Sequence, residues 1–299
     1  MSGLYRKPVL IYNPAAGKIK RSGGKLLRDV QSALSQAGFT PELIPTTGPG
    51  VASDLARQAI DRGSDLIIGL GGDGTINEIA SGVIGSRVPL AILPGGTANV
   101  LSIETRGGTN AVRTASQLAT RVPKRIAVGK ITSTLCKDRY FLAMVGVGLD
   151  AKIVHNVNPA IKSRTGKFAY WVAGFQQFAK PLDPIPLDEK VYGFVLASRV
   201  RNYGGDLELA RNASLLRDEF EIVKFRGTNP LFYAFYMLGA VVRQHLHLPG
   251  ISAHKGAILD FPKPGAHVQA DGEYAGQTPA RVELVPDALT LLVPPNFAG

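Results

Sequence analysis

Along the first hundred residues, short apolar runs alternate with longer stripes that are apolar on one side only. Val9–Tyr12 is a brief apolar run that stops at Asn13-Pro14, a turn signal. Leu26, Leu27, Val30, Ala33, Leu34 and Ala37 follow at helical spacing and are closed by Gly38. Phe39–Ile44 predicts a second strand, and Ala52, Leu55, Ala56, Ala59 and Ile60 a second amphipathic helix ended by Gly63. Leu66–Leu70 is continuously apolar, as a strand buried on both faces must be. A helix from Ile76, the strand Pro89–Leu93 and a helical stretch near Ala98–Ile103 complete the series. This alternation predicts a doubly wound parallel sheet, in which ligands collect outside the carboxyl ends of the strands.

After Pro123 the rhythm changes to strands. Arg125–Ile131, Tyr140–Val147, Val191–Arg199, Phe220–Phe225, Ala257–Phe261, Val268–Ala270, Ala280–Val285 and Leu289–Val293 read as extended segments. Helical inserts are expected at Gly166–Phe178 and Leu231–Val242. The expectation is an α/β chain: a parallel-sheet domain over 1–123, a mostly antiparallel β-sandwich over 124–287, and a segment 288–299 returning to the first domain. No internal repeat or low-complexity tract interrupts it.

Composition narrows the class. Of 299 residues, 45% are hydrophobic and 19% charged, which excludes a disordered chain. The single Cys136 excludes a disulfide scaffold and fits a reducing cytoplasm. The uncharged stretch between Arg226 and Arg243 includes Thr228, Asn229 and Pro230 and falls short of the roughly 20 apolar residues that cross a bilayer. The start, MSGLYRKPVLIYNP, lacks the apolar run and cleavage site of a signal peptide. A soluble, cytoplasmic protein is therefore expected. Its net charge of +11 is distributed in blocks. No acid precedes Asp29, none lies between Glu104 and Asp138, and none between Asp150 and Asp183. Such blocks draw phosphates, nucleic acid or an anionic membrane surface. His155, His245, His247, His254 and His267 have no metal-ligand spacing, and no RNA-binding signature is present.

Three turns of the first domain stand at strand ends: Asn13-Pro14-Ala15-Ala16-Gly17-Lys18, Gly71-Gly72-Asp73-Gly74-Thr75 and Pro94-Gly95-Gly96-Thr97-Ala98-Asn99. In a parallel sheet all three face one crevice. Glycine lets backbone N–H groups come close to a phosphate, and a following helix N-terminus adds a favourable dipole. Gly69-x-Gly71-x-x-Gly74 formally fits the dinucleotide fingerprint, yet no acid occurs from Ser81 to Ile103, where the ribose ligand would stand about 20 residues on. Gly17-Lys18 is followed by Ile19, so a Walker A loop is also absent.

Gly71-Gly72-Asp73-Gly74-Thr75 with Asn77-Glu78 resembles the signature of the diacylglycerol kinase catalytic domain and its bacterial lipid kinase relatives. The wider superfamily includes sphingosine, ceramide and, more distantly, NAD kinases. Asn13-Pro14-Ala15-Ala16-Gly17, Thr46-Thr47-Gly48-Pro49-Gly50, Leu93–Leu101 and Val268-Gln269-Ala270-Asp271-Gly272-Glu273 fit the same branch, in the right order over nearly the whole chain. The resemblance implies a nucleotide site between two domains. The Asp73 turn (Gly71, Gly72, Gly74, Thr75) would cradle ATP phosphates and Asn77 and Glu78 would brace it. Asn13, Thr46 and Thr97, with Gly96 and Asn99 on the same loop, would meet the nucleotide. It implies Asp271 as general base with Glu273 beside it, and Asp73 as the reserve; Asp271-Gly272 is also a strong hairpin signal in its own right.

The implied cofactors are ATP and Mg²⁺, which phosphoryl transfer uses to neutralise the γ-phosphate. Family members often hold a structural Mg²⁺ through an Asp in the second domain. Here Arg217 stands where that acid aligns, and Asp218 meets it only with a one-residue shift. The implied substrate is a membrane lipid such as diacylglycerol. No nucleic acid partner is expected, and a homodimer is left open. An NAD kinase-like phosphotransferase and a non-catalytic basic membrane-binding member are the alternatives. Lys162, Arg164 and Lys167 beside Phe168, Tyr170 and Trp171 suggest a transient visit to an anionic bilayer, peripheral to the inner face of the membrane.

Overall fold

The structure, a computed structural model, describes residues 5–156, 182–204 and 207–299. The expected helix at Gly166–Phe178, and Lys162, Arg164, Lys167, Phe168, Tyr170 and Trp171, lie outside the described residues. The chain divides into one unit made of Met1–Val128 with Pro286–Gly299 and another made of Gly129–Val285.

The first unit carries β1 (Pro8–Tyr12), α1 (Gly17–Arg21), α2 (Lys25–Gln36), β2 (Glu42–Pro45), α3 (Ala52–Asp61), β3 (Leu66–Gly71), α4 (Asp73–Val83), β4 (Leu90–Pro94), α5 (Val100–Glu104) and α6 (Ala111–Ser116). β1 pairs in parallel with β2 and β3, and β3 with β4. Alternate residues of each strand serve opposite faces. Leu10, Ile68, Leu70 and Leu93 meet Val30, Leu34, Ala111 and Ala115 from α2 and α6 in one core. Gly69, in the alternate register, takes α4 against the other face, where a Cβ would come within 2.8 Å of Ile76 Cδ1. Each fully buried Leu or Ile contributes about 1.5–3 kcal/mol. The second strand begins at Glu42 rather than at Phe39: Phe39 is buried in the core instead of joining the ladder.

β5 (Val122–Thr132) contributes residues to both units. The second unit continues with β6 (Arg139–Phe141), β7 (Met144–Gly148), α7 (Leu149–Asn156), β8 (Ile185–Leu187), β9 (Lys190–Ser198), β10 (Asn202–Gly204), β11 (Leu207–Glu208), β12 (Phe220–Arg226), α8 (Pro230–Val241), β13 (Ile251–Gly256), β14 (Ile258–Phe261), β15 (His267–Ala270) and β16 (Glu273–Gln277). β17 (Ala280–Val293) again contributes to both units. One antiparallel sheet runs β13-β12-β9-β7-β15-β16, with β8 beside β9. Its Val145, Val147, Val195, Ala197, Phe220, Ile222 and Val268 share a core with Ile131, Phe141, Leu259, Phe261 and Val282 from β5, β6, β14 and β17. Phe141 stacks on Phe220 at 5.7 Å within it. The mixed α/β class, with a parallel first sheet and antiparallel sheets after it, is as the sequence predicts.

Two strand boundaries differ from expectation for physical reasons. Tyr140–Val147 is two strands, because the N–H groups of Leu142, Ala143 and Met144 donate to the Asp271 carboxylate where a ladder would otherwise continue. Ala280–Val285 and Leu289–Val293 are one strand, kinked at Pro286-Asp287, where Asp287 is left-handed at φ 47°. Its first half pairs with β14 and its second with β4. The expected helix at Leu231–Val242 is α8. Tyr233 anchors it: its hydroxyl accepts from Gly193 N and donates to the Phe225 carbonyl. The opposite face leaves Leu231, Phe232, Phe235, Leu238 and Val241 exposed. No helix among the described residues is long and apolar enough to cross a membrane.

In α4 a Cβ at Gly82 would stand 2.1 Å from the Ser53 carbonyl oxygen at the start of α3. Ala there gains helix propensity of about 1 kcal/mol, but overpacking against backbone costs about 1–3 kcal/mol. Gly82→Ala is therefore expected to lower the urea midpoint of unfolding; an unchanged or raised midpoint would show that α3 and α4 can separate at little cost.

Candidate active site

At the carboxyl edge of the parallel sheet, the two glycine turns after β3 and β4 touch backbone to backbone. Gly95 N donates to Gly71 O at 2.7 Å, and a Cβ at Gly96 would fall 2.5 Å from Gly72 Cα. No residue larger than glycine lets these loops meet. Lys18 N at the start of α1 donates to Gly95 O, which brings the first turn to the same place. Asn13, at the end of β1, donates from Nδ2 to Thr75 Oγ1 at 3.1 Å, while its Oδ1 accepts from Ala15 N. Asn99 is left-handed at φ 52° and folds its amide over Gly96, accepting from Gly96 N and donating to Gly96 O. Thr97 stands exposed between them.

α4 braces this edge from behind. Glu78 accepts from Gly50 N at 2.9 Å and from Ala52 N at 3.3 Å, tying the loop after β2 to the helix that follows the Gly71-Gly72 turn. Thr46 on that loop is buried and donates its N–H to Tyr12 O. Asn77 is buried in the same helix, and its carbonyl accepts from Ser81 Oγ. Gly74 and Thr75 lie in the first turn. Asn13, Thr46, Gly71, Gly72, Asp73, Gly74, Thr75, Asn77, Glu78, Gly96, Thr97 and Asn99 thus gather at the ends of four neighbouring strands.

Asp73 sits at the first position of α4 in a depression lined also by Gly71, Gly72, Pro94, Asn99 and Ser102. Burial raises its carboxyl above the ordinary range, and backbone N–H groups of Leu101, Val100 and Asn99 work against that rise by donating to it. The carboxylate thereby clamps the start of α5 to the start of α4. Lys18, in the first turn but not among the expected site residues, has its ammonium held below its usual range by burial and by Arg21. Its place directly after Gly17 in a basic run was the available signal. Ser102 carried none, because a serine in an apolar run looks like any helical surface position.

Asp271 and Glu273 belong to the second unit. Asp271 and Gly272 are the two left-handed residues, φ 50° and 77°, of the tight hairpin between β15 and β16. This is the turn that Asp-Gly favours. The Asp271 carboxylate accepts three backbone N–H groups, from Leu142 at 2.7 Å and from Ala143 and Met144 at 2.9 Å. Glu273 pairs with Arg139 at 2.6 Å. The hairpin and its carboxylate are therefore rigidly presented.

The residues present do not fit the structural metal that the resemblance implies. Arg217 stands where the acid would be, and the carbonyls of Leu215 and Arg217 on the same loop accept from the guanidinium of Arg199, which is fully buried. Burial lowers that guanidinium to about 10, with Asp218 nearby acting in the opposite direction. Among the described residues, no group of three or more His, Cys, Asp or Glu could hold a metal. A chelator is therefore expected to leave the melting temperature unchanged. Arg199→Met should destabilise by about 1–3 kcal/mol for each carbonyl that loses its donor. A large chelator-induced drop would restore the metal.

Residues 7–131 match the family model of the diacylglycerol kinase catalytic domain. A diacylglycerol kinase of Staphylococcus haemolyticus (strain JCSC1435) is 27% identical over 283 residues, which cover 91% of this chain and 83% of the relative. One from Bacillus subtilis (strain 168) is 27% identical over 286 residues, 90% of each chain. A crystal structure of a diacylglycerol kinase from Bacillus anthracis str. Sterne shares the fold with a TM-score of 0.71 at 22% identity, covering 99% of both chains. A second crystal structure from that organism superimposes with a TM-score of 0.78 at 23% identity, over 98% of this chain and 97% of that one. Over residues 7–131 the chain is thus similar to the diacylglycerol kinase catalytic domain, and over most of its length to bacterial diacylglycerol kinases.

Proposed function

We propose that the protein is an ATP-dependent lipid kinase that transfers the γ-phosphoryl group of ATP to the hydroxyl of a membrane lipid such as diacylglycerol. The observation that carries this reading is the backbone-to-backbone contact of the Gly71-Gly72 and Gly95-Gly96 turns at the edge of a parallel sheet. Such turns suit phosphate, because N–H groups approach it with no side chain between. Thr97 and Asn13 stand at the same edge, with chemistry suited to the nucleotide's hydroxyls and phosphate oxygens.

The reaction needs a positioned γ-phosphate, charge neutralisation and one acceptor for the lipid hydroxyl's proton. The lipid oxygen forms the new bond to phosphorus, the bond to the β,γ-bridging oxygen breaks, and ADP leaves. Asp271 receives the hydroxyl proton, with Glu273 beside it. Its three backbone donors hold the carboxylate at one orientation. Asp73, in the phosphate depression, is the hard oxygen donor that fits Mg²⁺ borne on the ATP phosphates, and that ion would neutralise charge on the transferring group.

The lipid would be reached from the bilayer surface, with the protein cytoplasmic and only transiently peripheral. α8 supports this part, since Leu231, Phe232, Phe235, Leu238 and Val241 form an exposed apolar face on a helix followed by Arg243. Each basic residue near an anionic surface adds about 1 kcal/mol.

Labelled ATP offered with diacylglycerol, sphingosine, ceramide, phosphatidylglycerol and NAD decides the reading. Transfer to a lipid is expected; transfer to NAD alone would overturn it, and no transfer at all would favour the non-catalytic alternative. Asp271→Asn is expected to cut kcat by about 10²–10⁴ while leaving ATP affinity intact. If turnover survives and Asp73→Asn abolishes it, the proton acceptor is Asp73. In co-sedimentation, anionic vesicles should bind the protein more than neutral ones, and salt and Phe232→Ser should both weaken that binding. Equal, salt-insensitive partitioning would remove the membrane step.

A further inference from the structure

A second carboxylate, unused in the reaction above, lies behind the Asp271 turn. Asp150 is in the first turn of α7 and is buried. Its carboxylate lies directly over β7 at Gly146, where a Cβ would come within 1.9 Å of Oδ2. Glycine at 146 is what makes room for it. Oδ2 accepts from Gln269 Nε2 at 2.8 Å and from Tyr203 Oη at 3.0 Å. Gln269 stands opposite Gly146 in the β7–β15 register and is itself buried.

An ionised carboxylate only accepts, so it dictates which end of a carboxamide faces it. With the amino end of Gln269 turned to Asp150, Oε1 points the other way and accepts from Gly272 N at 2.8 Å. That N–H belongs to the second left-handed residue of the Asp271-Gly272 turn. The Asp271 side chain thus holds the turn on the N–H groups of 142–144, the Asp271 N–H holds it on Met144 O, and the Gly272 N–H holds it on Gln269. A reversed amide would bring a donor against the Gly272 donor.

We infer that Asp150 is a positioning residue for the proposed proton acceptor Asp271, acting through the fixed orientation of the Gln269 carboxamide. The inference rests on the kinase reading for its effect on turnover, though the relay itself is independent of it.

Energetics set this role apart from simple packing. Burial pushes the Asp150 carboxyl up to about 6, against the opposing hydrogen bonds from Gln269 and Tyr203. A raised carboxyl means that the ionised form costs stability, so for this group stability rises as pH falls from 7 through 6. The orientation of Gln269 weakens over the same range. Activity and stability should therefore move in opposite directions on mild acidification.

The elements packed on α7 are β7, β9, β15 and β16, and β10 supplies Tyr203. β7 carries no titratable group, and β9 carries Lys190 and Tyr192. On α7, Lys152 pairs with Asp183, and His155 stacks on His267 of β15 and meets Tyr274 of β16. Glu273 is paired with Arg139. His267 is held below its usual range, first by burial and then by His155 and Lys152. It is the competing source of an acidic limb.

The test measures kcat, the KM for ATP, melting temperature and Gly272 amide exchange from pH 5 to 8. The proteins are wild type, Asp150→Asn, Gln269→Leu, their double variant and His267→Gln. Asp150→Asn should lower kcat at least tenfold, hold the KM for ATP, flatten the acid limb near pH 6, and not lower the melting temperature. The Gly272 amide should lose protection in Asp150→Asn and Gln269→Leu alike, and the double variant should fall no further than either single one. His267→Gln should keep the limb. A Gly272 amide that loses protection in Asp150→Asn, together with no lipid phosphorylation by the wild type, would support the relay while failing the kinase reading. An unchanged Gly272 amide in Asp150→Asn, additive losses in the double variant, or a limb that moves only with His267→Gln would each overturn the inference.

Discussion

Two peptide backbones can approach within touching distance only where neither carries a side chain, and the parallel-sheet unit is organised around one such approach. Gly71-Gly72 and Gly95-Gly96 end adjacent strands, and their contact fixes where α4 and α5 begin. Once the two helix starts are side by side, a single carboxylate at Asp73 can serve the N–H groups of both. Asn13, Asn99 and Glu78 then tie the remaining loops to that junction. The polar side chains at this edge are engaged within the protein, which leaves the loops in a single defined geometry.

The second unit uses buried charge in a related way. The Asp271 carboxylate interrupts a strand by taking three of its N–H groups, and the Arg199 guanidinium gathers two loop carbonyls. Both cases exchange the stability of an apolar packing for a single defined geometry. An isolated hairpin could keep the Asp271-Gly272 turn, yet only the bend at 142–144 fixes the direction of its carboxylate.

Much of this was legible in the sequence, for reasons that differ by region. Strands buried on both faces, such as Leu66–Gly71, are continuous apolar runs, and glycine turns after them announce themselves through residue type alone. The Asp-Gly hairpin and α8 were equally visible, because turn chemistry and a Pro at the helix start are local signals. What could not be read is non-local. Nothing near Tyr140–Val147 indicates that its N–H groups belong to a carboxylate more than a hundred residues away. Likewise, Pro286-Asp287 looks like a break between strands, whereas each half of β17 finds a different partner and continues. Asp150 and Arg199 sit in apolar runs where a single charge stands out, but only the fold supplies their partners.

The division of the chain has a consequence for synthesis. The antiparallel unit is one contiguous segment, Gly129–Val285, while the parallel unit needs Pro286–Gly299 to supply the strand beside β4. During translation the second unit can close on itself before the first is complete. The glycine-rich edge of the parallel sheet then gains the strand beside β4 only after the contiguous antiparallel unit has been made.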